Sequence, residues 1–175
     1  MFRINICHIV SDHFESLRLE GEKQMYLGDK LLFFAFPFLL ACLLAFNEIS
    51  LKPQVGNVIK AMAIFGAFMF NLLAIIHGQL GKIKESTDKI IDDDLKKKKV
   101  RFAKEIHSNI TFNILLAVTV IVFMLIYDLT PNTNKLINTI LIKVTLTVNY
   151  FLLFLFFLTL IMVINRVYIL VRSEN

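Results

Sequence analysis

The chain has 175 residues, of which 57% are hydrophobic, with a mean hydropathy of +0.67 and a net charge of +5. Soluble domains carry about 45–50% apolar residues, and here the excess is gathered into four blocks that no soluble core of this size would hide. Four membrane spans of about 20 residues use roughly half of such a chain, which leaves little for a separate catalytic domain.

The predicted elements begin with an amphipathic helix. Phe2, Ile6, Ile9, Val10, His13 and Leu17 recur at helical spacing, with Arg3, Asp12, Glu15 and Arg18 elsewhere, and Gly21 is a plausible end. Such a helix is expected on the inner membrane surface or against a partner subunit. Residues 1–30 also carry Asp12, Glu15, Glu20, Glu22 and Asp29, and the apolar core of a signal peptide is not among them. Span one is expected at Leu31 to Phe46, interrupted by Pro37, which lipid-embedded helices tolerate as a kink. A polar turn, NEISLKPQVGN, leads to span two at Val58 to His77. Lys60 lies near its outer end, where a long stem lets the ammonium reach the headgroups.

The segment 78–109 is expected to be a basic helical hairpin. Ile76, Leu80, Ile83, Thr87 and Ile90 form a heptad-like stripe that continues span two. Asp92, Asp93 and Asp94 then supply a turn and a helix start. Lys96, Lys97, Lys98 and Lys99 oppose the positive end of the new helix, so they are expected to be solvated and frayed or held by an acidic partner. His77 and His107 are each fifteen residues from Asp92, and Asn71 and Asn113 are each twenty-one residues from it. A hairpin folding there sets the histidines at one level and the asparagines at another. Paired asparagines in lipid contribute roughly 0.6–2 kcal/mol; the same groups are alternatively available for self-association.

Span three is expected from Ile110 to Tyr127 and span four from Thr139 to Asn165, joined by the turn DLTPNTNKLIN. Residues 1–30, 78–109 and 166–175 hold fifteen of the nineteen Lys and Arg residues. That side is expected in the cytoplasm, with both termini. Lys52, Lys60, Lys135 and Lys143 are the four on the other side. Cys7 and Cys42 fall in different compartments and suggest no disulfide. The fold class is therefore all-α and integral to the membrane, with four transmembrane helices. Its parts are an N-terminal amphipathic helix (1–28), a first transmembrane hairpin (29–77), the cytoplasmic helical hairpin (78–109), and a second transmembrane hairpin with a short tail (110–175).

Catalytic motifs are missing from this sequence: there is no phosphate-binding loop, dinucleotide fingerprint, metalloprotease helix or paired-cysteine zinc site. His8 and His13 are five apart and do not share a helix face, so no metal or other cofactor is expected. Arg101 and His107 fit the loose Arg-x(4–6)-His spacing of HEPN ribonucleases, but Phe102 stands where that superfamily commonly has a polar residue. A chance match in a basic stretch is the simpler reading. The lysine run is better explained by solvated positive-inside charge than by direct nucleic-acid binding.

The two pairs of spans, the segment GKIKESTDKIIDDDLKKKKVRFAKEIH and the tail INRVYILVRSEN resemble small four-span proteins of prokaryotic antiviral systems. Those are the membrane subunit of the Kiwa system and the membrane accessory proteins of type VI-B CRISPR loci. The resemblance is one of layout and implies an inner-membrane protein that forms homo-oligomers and works with a cytosolic protein partner; with the protruding charged hairpin, the expectation is a non-enzymatic membrane subunit in phage defence. Segment 78–109 is the expected partner contact, through Lys96, Lys97, Lys98, Lys99 and Arg101. Asn71, Asn113, His77 and His107 are the expected assembly contacts. A pore through Asn71, Asn113 and Asn149 and a toxin- or bacteriocin-immunity protein are the alternatives.

Overall fold

A computed structural model describes the backbone of residues 6–17, 27–47, 49–85, 93–130 and 136–172, all helix or short turn with no strand among them. The expected turn at Asp92, the stripe positions Thr87 and Ile90, and Lys135 lie outside the described residues. The elements are α1 (Ile6–Ser16), α2 (Leu27–Lys30), a π-helical turn (Leu31–Ala35), α3 (Phe36–Phe46), a 3₁₀ turn (Lys52–Gln54), α4 (Val55–Glu85), α5 (Asp93–Leu129) and α6 (Leu136–Arg172). Three helical stretches, Lys52–Gly81, Lys96–Leu129 and Ile140–Leu170, are long and apolar enough to cross a membrane, and Leu31–Phe46 is a shorter apolar helix. The chain is in this respect a membrane protein.

Pro37 explains the π-helical turn. Proline has no N–H to donate, and its ring crowds the carbonyl four residues earlier. The backbone opens by one residue just ahead of it, so that the Phe36 N–H reaches the Leu31 carbonyl. Helical backbone nevertheless runs unbroken over 27–46, about 30 Å at 1.5 Å per residue.

The long helices pack through heptad seams. On α5 the buried residues Ala103, Ile106, Ile110, Asn113, Ala117, Val120, Met124 and Tyr127 alternate at three and four. Leu146, Asn149, Leu153, Phe156, Leu160 and Val163 do the same on α6. On α4 Val55, Met62, Met69 and Ile76 recur every seven residues. This period of 3.5 keeps one seam facing its neighbour along the whole length, the left-handed geometry of coiled coils and most bundles. On the first apolar helix Phe33, Pro37, Ala41 and Ala45 are buried at every fourth position, and the two alanines let α3 and α6 approach closely.

The helices form a row rather than a closed ring. α4 packs on α5, α5 on α6, and α6 on α3. α4 is thus an outer member, and only 17% of its most apolar stretch is buried, against 44% for α5 and α6. At the end away from the basic segments, the first turn is tied down by polar contacts. Tyr150 donates to the Ile49 carbonyl at 3.1 Å, Lys52 Nζ donates to the Thr130 carbonyl at 2.7 Å, and the Ser50 and Tyr127 hydroxyls are 3.2 Å apart.

α1 does not need a separate surface to cover its apolar stripe, because it packs on α5 of its own chain. His13, Ser16 and Leu17 are buried, while Ile9, Val10 and Phe14 lie against the core. α5 is helical from Asp93 onward, so the lysine run is wound into its first turns and not frayed. Lysine is a good helix former, and the seam that starts at Ala103 anchors the helix just beyond it.

Candidate functional site

A buried polar cluster lies at the basic end, where α1 meets α5 and α6. One face of α1 carries His13 and Ser16, three apart and therefore neighbours. Asn109 of α5 accepts from both: His13 Nδ1 lies 2.7 Å and Ser16 Oγ 2.8 Å from its Oδ1. The Ser16 hydroxyl is also 2.7 Å from the His13 carbonyl, so its proton is shared between two acceptors. From α6, Arg166 donates to the Ser16 carbonyl at 2.7 Å, capping the last turn of α1. Its other nitrogen stands 3.5 Å from Glu105 Oε2, an ion-pair distance without hydrogen-bond alignment. Glu105 also pairs with Arg101 at 3.2 Å.

This junction fixes position more than it supplies adhesion. Its hydrogen bonds each contribute about 0.5–1.5 kcal/mol. Against them, His13 Nε2 and Asn109 Nδ2 are buried without a partner among the described residues, at about 1–3 kcal/mol each. The terms are of one size and largely cancel. Adhesion comes from the apolar stripe and from the His13 ring stacked on Phe112, with centroids 3.8 Å apart and planes at 8°. Phe14 continues the contact by stacking on Phe34 at 5.5 Å. Burial lowers the His13 pKa from 6.5 to about 4; the Asn109 hydrogen bond opposes the shift and the Arg166 charge adds to it. The imidazole is neutral, with its proton on Nδ1 facing Asn109.

Beside the junction a cleft of about 630 Å³ opens between α1, α4 and α5. Its walls include Asp12, His77, Lys104, His107 and Ser108, with Ile9, Leu80 and Gly81 as apolar or open surface. The His77 and His107 rings lie 6.4 Å apart.

The residues singled out in the sequence are distributed as follows. His77 and His107 meet across the α4–α5 seam. Asn71 and Asn113 do not: Asn71 is exposed on α4, whereas Asn113 is buried, accepting from Thr159 at 3.1 Å and standing over Met69 Sδ at 3.9 Å. Asn149 is buried too and donates to the Thr145 carbonyl at 2.9 Å. Lys97, Lys98 and Arg101 are exposed along α5, with Lys96 and Lys99 half-buried. Arg101 and His107, six residues apart, point about 120° apart around the helix. His13, Ser16, Asn109, Glu105 and Arg166 form a cluster that no spacing in the sequence assembles. The only sequence signal for them is the histidine in the apolar stripe of α1.

The Ser16 hydroxyl points at a carbonyl and an amide rather than at a histidine nitrogen, and the cluster is buried. Among the described residues no three His, Cys, Asp or Glu side chains are grouped to hold a metal ion, and Cys7 and Cys42 are free thiols. No family model, curated protein or solved structure matches the chain.

Proposed function

We propose that this protein is a non-enzymatic, four-span inner-membrane subunit that assembles with copies of itself and couples a cytosolic protein partner to the membrane. The observation that carries the proposal is the outward face of α4. Ala63, Ala67, Asn71, Ala74 and Gly78 are exposed there at spacings of four and three, flanked by exposed Ile64, Phe68 and Ile75. An added Cβ at Gly78 would meet nothing. Small residues permit close backbone approach between helices in lipid, where no hydrophobic force joins them. An amide facing hydrocarbon gains a partner only from another polar chain. A second α4 offers the same amide, and such pairs contribute roughly 0.6–2 kcal/mol.

The partner reading rests on the protrusion of α5. Its 37 residues rise about 55 Å, well beyond a hydrocarbon layer of about 30 Å, and the excess carries Lys96 to Lys99 and Arg101. The setting in phage defence rests on the resemblance in layout.

Mass determination of the protein in mild detergent tests the assembly, with co-purifying chains identified. The wild type is expected as a defined homo-oligomer carrying a cytosolic protein, Asn71→Leu with Ala67→Leu as a smaller species, and a chain lacking 82–105 as an oligomer without the partner. A wild-type monomer, or a double variant with unchanged mass, would overturn the α4 interface. Protection of cells by this gene alone would favour an immunity protein instead.

A further inference from the structure

We propose that the cleft between α1, α4 and α5 is a binding site for a phosphate-bearing anion, the headgroup of an anionic phospholipid. The cleft lies where the apolar surface of the helices stops. Ile75 is exposed on α4 two residues before His77, where the cleft lining begins. Lys104 and His107 precede the apolar run of α5, which begins at Ile110. In a membrane this is headgroup depth, and basic pockets between helices on the cytoplasmic side are where anionic headgroups bind.

The walls suit a phosphate. Lys104 supplies a fixed positive charge and is exposed. His77 and His107 each offer a ring N–H, and neutral or protonated they donate to phosphate oxygens. The Ser108 hydroxyl is buried with no partner among the described residues, so a donor stands ready on the α5 wall. The one acid in the lining, Asp12, is held by His8 at 2.9 Å on the α1 side. Ile9 and Leu80 provide apolar surface for the glycerol and the first methylenes. A volume of about 630 Å³ lies within the usual 300–1,000 Å³ of small-ligand sites. Gly81 lines the cleft, and nothing lies within 4 Å of where its Cβ would stand. A larger residue there is sterically free to build and favours the helix, yet it fills the opening.

Delipidated full-length protein, titrated with short-chain phosphatidylglycerol, short-chain phosphatidylcholine and glycerol 3-phosphate, tests the site. The variants are Lys104→Glu, Lys104→Arg and Gly81→Leu, each checked for retained helicity. Phosphatidylglycerol is expected to bind the wild type at least tenfold more tightly than phosphatidylcholine. Lys104→Glu and Gly81→Leu should each weaken it tenfold or more, and Lys104→Arg should keep it within threefold. Equal binding of the two lipids, or unaltered binding by the folded Gly81→Leu protein, overturns the site. Glycerol 3-phosphate binding as tightly as the lipid would overturn the lipid source and assign the cleft to a soluble phosphate ester.

Discussion

His13 shows how one residue can be half legible. Its place in the apolar stripe of α1 announces burial, but the partner that accepts its hydrogen bond, Asn109, is 96 residues away and carries no sequence signal. The consequence is a pH dependence whose sign is fixed. A free histidine titrates near 6.5 and the docked one near 4. As pH falls below about 6.5 the undocked helix takes up a proton that the docked one refuses. Docking of α1 is therefore complete above about 6.5 and weakens progressively down to about 4, by at most about 3 kcal/mol. Arg166 on α6 opposes the imidazolium, and Glu105 on α5 is occupied by Arg101 and Arg166. Hydrogen exchange of residues 6–16, corrected for intrinsic rates, should show protection falling between pH 7 and pH 5, and His13→Leu should remove that change. Asn109→Ala leaves the buried His13 Nδ1–H without its acceptor, while the Ser16 hydroxyl keeps the His13 carbonyl, and should cost about 1–3 kcal/mol in thermal or denaturant stability.

At the scale of elements, distance from the turn fixes height along a hairpin but not direction around each helix. His77 follows the seam residue Ile76, and His107 follows the seam residue Ile106, by one position each. In antiparallel helices equal offsets fall on the same side, so the rings meet. Asn113 is itself a seam residue, whereas Asn71 lies two positions past Met69, about 200° around α4. Equal spacing from Asp92 thus predicted one pair and misled on the other. Thr159 retains its bonds to the Leu155 and Phe156 carbonyls when Asn113 is replaced. Asn113→Leu should accordingly shift stability by less than about 1 kcal/mol, in contrast to Asn109→Ala. The α3–α6 contact should be less forgiving. Ala41→Leu inserts bulk where two backbones approach and should cost about 1–3 kcal/mol. Leu39→Ala on the exposed face should leave the melting temperature almost unchanged, which the same thermal unfolding assay reads.

For the molecule as a whole, the all-helical class and the apolar blocks were legible because long uninterrupted apolar runs set them. The order of the row was not. Each block is apolar around its circumference, as helices in lipid are, so polarity does not mark the seam; the fit of side chains does. The path of the chain through that row carries the case for a fourth span. α1 is held at the basic end by Asn109 and Arg166, and Ile49, Ser50 and Lys52 are held at the opposite end by Tyr150, Tyr127 and Thr130. The helical stretch 27–46 therefore runs between those two ends, and its approximately 30 Å matches the hydrocarbon thickness. If the bundle crosses the bilayer, that stretch crosses with it and Cys7 lies on the side opposite Asn57. Both positions are exposed. An impermeant thiol reagent added outside intact cells should label Asn57→Cys in a Cys7-free background and leave native Cys7 unlabelled until the membrane is permeabilised. Labelling of both from outside would break the four-span arrangement, and labelling of Cys7 alone would reverse its direction.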